Sequence, residues 1–303
     1  SFDFIAKEEG IAIPILLGNS LKIKALMEEN GIDLGDVKII DPLTEDAKRE
    51  EYGLKFFEKR QRKGVNIYES VKLMRDRNYF GCMMVNEGEC DAFISGLTKN
   101  YPKSLKPAMQ IIGKEQGITK ISGMYIIMTK KGPYFFSDTT VNINPTADEL
   151  VEIAKVTHSE VLKLGVKPVM AMLSYSNFGS AKGEVPEKVS SAVSYLHKNH
   201  PDLIVDGEIQ ADFALNQEML EKKFPFSKLA GKKVNTLIFP NLESANITYK
   251  LLKELNNVES IGPIMLGMGK PVHIFQLGAS VEEMVNMAAV AVVDAQEKGK
   301  KKQ

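Results

Sequence analysis

The sequence has few of the residues that build metal sites and disulfide frameworks. It contains two cysteines, Cys82 and Cys90, and four histidines, with no Cys/His cluster of the kind that holds a structural zinc. Both cysteines lie in or beside apolar runs, which favours reduced, packed thiols in a cytoplasmic protein; a disulfide or a reactive thiol is the alternative. We therefore expect a cytoplasmic location and no structural metal.

Long hydrophobic runs and an excess of one charge are absent as well. No apolar run approaches the ~20 residues that a membrane-spanning helix needs, and no signal peptide is visible. Lys plus Arg and Asp plus Glu number 39 each, so no net field attracts nucleic acid or an anionic membrane. We expect neither as a partner, and local groups would have to hold any anionic ligand.

The 303 residues do contain a regular alternation of apolar runs and amphipathic stretches. Runs such as residues 11–19 predict buried strands, and stretches with apolar residues at helical spacing follow them. The run at residues 79–85 is likewise predicted to be a strand. Strands separated by helices indicate an α/β protein with a mainly parallel, doubly wound sheet. A chain of this length has room for two domains.

The middle of the chain has a different pattern. Residues 122–142 contain two predicted strands around Lys-Lys-Gly-Pro, which is a hairpin signal and implies antiparallel pairs. A helix is then predicted to begin near Thr146. The change in pattern indicates a second subdomain at residues 123–263, inserted into a discontinuous first subdomain made of residues 1–122 and 264–303.

Polar loops after predicted strands are the candidate ligand sites, because α/β proteins bind ligands at the carboxyl ends of their strands. The loop at residues 174–183 combines glycines and serines with a lysine, which suits a phosphate or pyrophosphate, although it lacks the GxxxxGK[ST] spacing. The loop at residues 95–102 is similar. A plain strand-to-helix connection explains either loop equally well. The predicted ligand contacts in the two loops are Thr98, Asn100, Tyr101, Ser176, Gly179, Ser180 and Lys182.

Two further loops carry carboxylates or amides. Asp206 and Glu208 follow a predicted strand and could perform acid/base chemistry or bind a metal, but helix capping and solvated charge explain them at least as well. Asn241 is placed to cap a helix. No Ser-His-Asp arrangement, GxGxxG fingerprint or HExxH motif is found. The residues alone therefore indicate an α/β protein with a cleft that favours anions.

Seven motifs occur in an order that resembles one known family. They are ISGLTKNYPKSLKPAMQIIG, ISGMYIIM, VNINPTADELVEIA, MLSYSNFGSAKG, DGEIQADFAL, LIFPNLESANITYKLL and IGPIMLGMGKPVH. Together they resemble the phosphate acetyl/butyryltransferase family over essentially the whole chain. The resemblance implies two α/β subdomains with a cleft between them, as in isocitrate and isopropylmalate dehydrogenases, and dimers formed through the second subdomain. It also implies that acetyl-CoA or phosphate is bound by residues that include Ser122 and His273.

The same resemblance identifies an unusual loop after Lys-Pro-Val. Active members carry a signature similar to Asn-Asp-Leu-Ser-Arg-Gly followed by Ser-Val-Glu-Asp, whose serine, arginine and final aspartate carry or support catalysis. The aligned residues here are Gln276, Leu277 and Glu283. A leucine cannot neutralise a phosphoryl group, and loss of one electrostatic clamp typically costs ~10²–10³ in rate. This predicts a degenerate catalytic loop in a cleft that still fits CoA.

The chain opens at Ser1 without an initiator Met, and by the same resemblance it lacks the family's first strand. Together with a degenerate loop that contains Lys-Pro-Val-His-Ile, this start resembles the C-terminal domain of bacterial NADP-dependent malic enzymes. That context implies an oligomeric domain of a larger polypeptide with acetyl-CoA as allosteric effector. Oxidative decarboxylation of malate to pyruvate, with NADP and Mg or Mn, would then belong to malic enzyme domains of the same chain. The alternatives are an active phosphate acetyltransferase with an unusual site and a stand-alone binding or assembly domain.

Overall fold

The structure is a computed structural model that describes residues 2–33, 35–96, 101–256, 258–276 and 278–300. It divides into two compact units, of which the first consists of Ser1–Glu115 and Met268–Gln303 and the second of Gln116–Gly267. Both units alternate strands with helices, which confirms the predicted α/β class. The predicted subdomain boundaries, at 122/123 and 263/264, differ from these by a few residues. The predicted cleft and the dehydrogenase-like arrangement stay predictions.

The strands of the first unit form two short parallel pairs. Ile15–Leu17 (β1) pairs with Lys38–Ile40 (β2), with Ile15 opposite Lys38, and Phe93–Ser95 (β3) pairs with Val272–Ile274 (β10), with Phe93 opposite Val272. The elements of this unit are α1 (Phe2–Glu8), β1 (Ile15–Leu17), α2 (Ser20–Glu29), β2 (Lys38–Ile40), α3 (Asp46–Arg60), a 3₁₀ turn (Gln61–Lys63), α4 (Ile67–Leu73), α5 (Arg77–Glu87), β3 (Phe93–Ser95), α6 (Tyr101–Ile111), β10 (Val272–Ile274) and α12 (Val281–Lys300).

The apolar run at residues 79–85 belongs to helix α5, so the prediction of a strand there was wrong. The Asp76 carboxylate accepts a hydrogen bond from the Asn78 N–H (2.8 Å) where the helix begins. The helix ends at Gly88, whose φ of 81° is left-handed. Every residue from 78 to 85 is buried. A helix buried on all sides has the same uninterrupted apolar run as a buried strand, and that similarity misled the prediction.

A cavity of about 380 Å³ in the first unit is lined by one strand of each pair. All residues of β1 and β3 line it, together with Ala288 of α12. Helix α5 packs closely against β1 and β3 at Gly81. A Cβ at this position would clash with the Phe93 ring and the Leu17 side chain. None of the predicted ligand contacts that the structure describes lines the cavity. In the described part of this unit, the two strand pairs are not hydrogen-bonded into one continuous sheet.

The second unit contains a continuous six-stranded sheet of order β7-β6-β8-β5-β4-β9. The strands β5, β8, β6 and β7 are parallel to their neighbours in this series, whereas β4 is antiparallel to both β5 and β9. The elements are β4 (Ser122–Thr129), β5 (Gly132–Ser137), α7 (Ala147–Lys163), β6 (Met170–Leu173), α8 (Glu184–Asn199), β7 (Val205–Ile209), α9 (Ala211–Leu215), α10 (Gln217–Lys223), β8 (Thr236–Ile238), α11 (Leu242–Asn256) and β9 (Ser260–Leu266).

Two local signals in the second unit are confirmed. The predicted hairpin is formed by β4 and β5, with Thr129 opposite Gly132. Helix α7 begins at Thr146 with a capping box. The Thr146 hydroxyl oxygen accepts from the Glu149 N–H (3.3 Å), and the Glu149 carboxylate accepts from the Thr146 N–H (3.0 Å). Two N–H groups that lack a helical partner are thereby satisfied.

Helices cover both faces of the six-stranded sheet. Met170 and Met172 of β6 belong to a hydrophobic cluster with residues of α7 and α8, whereas Ala171 and Leu173 belong to a cluster with residues of α9, α10 and α11. This division follows from the alternation of side chains along a strand. The second unit is thus a sheet between two helical layers. Among the described residues, the helices are too short or too polar to cross a membrane.

Candidate functional site

The parallel strands of the second unit end at one edge of the sheet, where each leads into a polar segment. Asp138 follows β5, the loop at residues 174–183 follows β6, Gln210 follows β7, and Asn241 lies just after β8. Such edges are where α/β sheets bind ligands. This edge is therefore the candidate site of the second unit.

The loop at residues 174–183, called the β6–α8 loop below, is bonded to a buried carboxylate of β7. Oε1 of Glu208 accepts hydrogen bonds from the Ser176 hydroxyl (3.1 Å) and from the Gly179 N–H (2.5 Å). Glu208 is 2% exposed, and no described Lys, Arg or His forms an ion pair with it. The solvated charge considered as an explanation for Glu208 is therefore wrong, and its partners are neutral groups of the loop.

The other N–H groups in the centre of this loop are also bonded within the protein. Ser176 is fully buried, and its hydroxyl links two parts of the loop. The predicted contacts of Ser176, Gly179 and Ser180 with a ligand stay predictions. The bonds run from Asn177 N to Ser180 Oγ (2.9 Å), from Phe178 N to Glu208 O (2.9 Å), from Ser180 N to Asn177 O (3.0 Å) and from Ala181 N to Ser176 Oγ (3.0 Å).

Two further contacts fix the middle of the β6–α8 loop. The Asn177 side chain donates to Gln210 Oε1 (2.9 Å) and accepts from the Gln210 N–H (2.8 Å). Phe178 has a φ of 48°, a left-handed conformation that costs a non-glycine residue of order 1–3 kcal/mol. Its ring packs against those of Phe224 (5.0 Å between centroids) and Phe226 (5.1 Å). The loop therefore has one shape that several contacts determine together.

The ends of this loop present Tyr175 and Lys182 to solvent. Both side chains are exposed, and Lys182 forms no ion pair with any described residue. The Tyr175 hydroxyl lies over the backbone of Gly183, since a Cβ there would be 2.5 Å from it. A phenol hydroxyl and an ammonium group near one loop end are groups that can bind a phosphate.

Asp138 fixes the segment after β5. Burial raises the pKa of this carboxyl group, and the N–H groups from which it accepts hydrogen bonds oppose that shift. These bonds tie the segment to the start of β4. The donors are the N–H groups of Gly123 (2.9 Å), Thr140 (2.9 Å), Val141 (3.1 Å) and Asn142 (2.7 Å), and the side-chain amide of Asn142 (2.5 Å).

Two side chains organise the neighbouring loops, and one of them was predicted. The Asn241 side chain accepts from the Ser244 N–H (2.9 Å), which confirms its role at the start of α11. Lys188 of α8 was not singled out from the sequence. It donates to the Asn144 side chain (2.8 Å) and to the Pro240 carbonyl (3.0 Å), and burial lowers its pKa. Lys188 thereby joins the segments that follow β5 and β8.

The remaining predicted contacts lie in separate elements. Ser122 begins β4 and is buried, with its hydroxyl 2.9 Å from that of Ser137. His273 is buried in β10, and Tyr101 begins α6. Thr98, Asn100 and Leu277 lie outside the described residues.

The loop after β10 leads into α12 in the first unit. The Phe275 N–H donates to the Ser95 carbonyl (2.7 Å), and half-buried Gln276 follows. Glu283 takes part in a capping box, in which its carboxylate accepts from the Ser280 N–H (2.8 Å) and the Ser280 hydroxyl accepts from the Glu283 N–H (3.1 Å). The carboxylate aligned with the family's aspartate therefore stabilises the start of α12.

Cys82 and Cys90 are free thiols, and burial raises the pKa of both. Among the residues that the structure describes, no group of three or more His, Cys, Asp or Glu side chains is placed to hold a metal ion.

Comparisons with known proteins agree on one family. The family model described as phosphate acetyl/butaryl transferase matches residues 5–292. The chain is 40% identical over 296 residues to a phosphate acetyltransferase of Clostridium acetobutylicum, covering 95% of this chain and 88% of the relative. It is 39% identical over 299 residues to that of Thermoanaerobacterium thermosaccharolyticum, covering 96% and 90%. A phosphotransacetylase structure from Streptococcus pyogenes superposes with a TM-score of 0.89 at 35% identity, covering 98% of this chain and 92% of that one.

These matches overturn the expectation of a regulatory malic enzyme domain. The relatives are named phosphate acetyltransferase, and this chain spans about nine-tenths of their length. The expected oxidoreductase activity and allosteric role are therefore wrong, whereas the expected cofactors, NADP and Mg or Mn, stay predictions. The substituted residues at positions 276 and 277 misled the interpretation, because a change in one loop does not identify the activity of the whole chain.

Proposed function

The chain belongs to the phosphate acetyl/butaryl transferase family, and we propose that it transfers an acyl group between coenzyme A and phosphate. The observation that carries the proposal is the 40% identity to a phosphate acetyltransferase over 95% of the chain. The names of the relatives favour acetyl as the acyl group. Acetyl-CoA is then a substrate or product.

The reaction places defined demands on the protein. The thiolate of CoA attacks the carbonyl carbon of acetyl phosphate, the C–S bond forms, the C–O bond to phosphate breaks, and phosphate leaves. A base must take the thiol proton, a donor must hold the carbonyl oxygen, and a cation must balance the phosphate charge. In the second unit, the exposed Lys182 is available to bind a phosphate group of CoA.

The test is formation of acetyl-CoA from acetyl phosphate and CoA by the purified chain. We expect turnover that saturates in both substrates. Because Leu277 provides no charge, the rate should lie ~10²–10³ below that of relatives with an arginine there. A Lys182→Met variant should raise the KM for CoA, whereas Lys63→Met, at an exposed lysine of the first unit, should not. Absence of thioester formation at saturating substrates would overturn the proposal.

We also propose that the second unit forms a homodimer through α11. Ile247, Leu251 and Leu255 are 58%, 52% and 77% exposed and recur every four residues on this helix. Such spacing places them on one face, and an exposed apolar stripe is typical of an interface. Sedimentation of the chain should show a dimer, and Leu251→Glu should shift it to monomer. A monomeric parent chain would contradict this proposal.

A further inference from the structure

We propose that Glu208 is a positioning residue whose buried carboxylate holds the β6–α8 loop in the shape that presents Tyr175 and Lys182 to CoA. This inference rests on the proposed function, because it takes CoA as the ligand. Glu208 itself touches no ligand in this account.

The first support for this role is that burial of the Glu208 carboxylate is energetically unfavourable. Burial of a carboxyl group in the protein interior is unfavourable unless hydrogen bonds compensate it. Glu208 is 2% exposed, has no ionic partner among the described residues, and accepts from one hydroxyl and one N–H group. A carboxylate in this position serves the segment to which it is bonded, and both of its donors belong to the β6–α8 loop.

The second support is the path from the carboxylate to the exposed side chains. Glu208 holds the hydroxyl of Ser176, and that hydroxyl in turn accepts from the Ala181 N–H (3.0 Å). Tyr175 directly precedes Ser176, and Lys182 directly follows Ala181. Each exposed side chain is therefore one peptide bond away from a residue that the carboxylate fixes.

The third support is the strain in the centre of the loop. Phe178 is left-handed, and its N–H donates to the Glu208 carbonyl (2.9 Å). The Gly179 N–H next to it donates to the Glu208 carboxylate. A strained residue persists only where its surroundings determine it, and such residues cluster at ligand sites. Loss of the carboxylate should let this turn relax while the sheet below it stays folded.

The chain offers a matched control two residues away on the same strand. Asp206 is also buried, and its carboxylate accepts from the Ser227 hydroxyl (2.8 Å) and the Lys228 N–H (2.8 Å). These donors belong to the segment before β8, not to the β6–α8 loop. Asp206→Asn therefore disturbs a buried carboxylate of β7 without affecting the loop's anchor.

The experiment compares Glu208→Leu, Glu208→Gln and Asp206→Asn with the parent chain. CoA binding is measured by calorimetry and turnover by the acetyl-CoA assay. We expect Glu208→Leu to raise the Kd and the KM for CoA about tenfold, with kcat changed less than about threefold. Glu208→Gln keeps an oxygen acceptor and should restore most of the affinity. Asp206→Asn should lower the melting temperature but leave the KM for CoA within about twofold of the parent value.

Two results would overturn the role of Glu208. One is a Glu208→Leu chain that binds CoA as the parent does; the other is an Asp206→Asn chain that loses CoA affinity to the same extent. If Glu208→Leu does not fold, Ser176→Ala removes one bond of the same path, and unchanged CoA affinity in that variant also overturns the role. If the parent chain binds CoA but shows no turnover, the proposed acyl transfer is contradicted, whereas the role of Glu208 in CoA binding is not. A parent chain that binds no CoA contradicts both proposals.

Discussion

The two units of this protein differ in how their strands and loops are supported. The second unit has one six-stranded sheet with helices on both faces, and buried carboxylates hold its loops. The first unit has two parallel strand pairs, and one strand of each lines a cavity of about 380 Å³. In the second unit, hydrogen bonds that originate in the sheet fix the candidate ligand groups. In the first unit, the capping box of Glu283 supports the start of α12 after the loop that the resemblance aligns with the family's catalytic signature.

This difference predicts how the stability of each unit responds to a change in side-chain volume. A continuous sheet between close-packed layers tolerates little change in volume. A unit that contains a cavity can accept added atoms, since they gain contacts with its walls. The resemblance aligns Leu277, in the loop after β10, with a charged arginine, so we expect substitutions there to affect activity more than stability.

The largest expected effect is on activity, in the first unit. Leu277→Arg introduces the cation that the family signature contains and should raise kcat/KM for acetyl phosphate about 10²-fold, since one electrostatic clamp is typically worth that much. Leu277→Met is the matched neutral control and should leave the rate unchanged. Steady-state kinetics with acetyl phosphate and CoA provide the measurement. Equal rates in all three chains would show that charge at this position is not limiting.

Replacement of a buried alanine with leucine should have a smaller effect, on the free energy of unfolding, and of opposite sign in the two units. Ala154 of α7 is fully buried in the close-packed core of the second unit, so Ala154→Leu should lower the free energy of unfolding by about 1–3 kcal/mol. Ala288 of α12 lines the cavity, so Ala288→Leu should raise the free energy of unfolding by about 0.5–2 kcal/mol. Urea unfolding followed by circular dichroism measures both. Destabilisation of similar size in the two variants would mean that the cavity is already filled.

How far sequence reasoning succeeds depends on how local the determinant is. The hairpin of β4 and β5 and the start of α7 depend on residues within a few positions of each other, and both were predicted. Residues 79–85 were assigned to the wrong element because burial on all sides removes the periodicity that distinguishes helix from strand.

The role of Glu208 depends on a contact between residues 32 positions apart in the sequence. The sequence shows its carboxylate after an apolar run but not the loop that it holds. One signal was available, since the apolar residues at 203–205 and 209 predict a strand buried on both faces, which buries the positions between them as well. Lys188 gave no comparable signal, because its partners lie in two loops that only the fold brings together.

The smallest expected effect concerns the pH dependence of stability in the second unit. Burial lowers the pKa of His158 in α7, with the charge of Asp202 opposing the shift. The folded chain then binds fewer protons than the unfolded chain as the pH falls below the ordinary value of about 6.5, so this histidine contributes stability that is lost on acidification. The urea midpoint should fall less between pH 7.5 and pH 5.5 in His158→Gln than in the parent. An equal fall in both chains would exclude this contribution.

Acyl transfer between CoA and phosphate is the central claim, and phosphate-dependent release of free CoA from acetyl-CoA tests it most directly. The parent chain, incubated with acetyl-CoA, should release thiol at a rate that rises and saturates with phosphate concentration, and Leu277→Arg should release it faster. Chloride at the same ionic strength should give no release above the blank without protein. Release that is absent in both chains, or that does not depend on phosphate, would contradict the account.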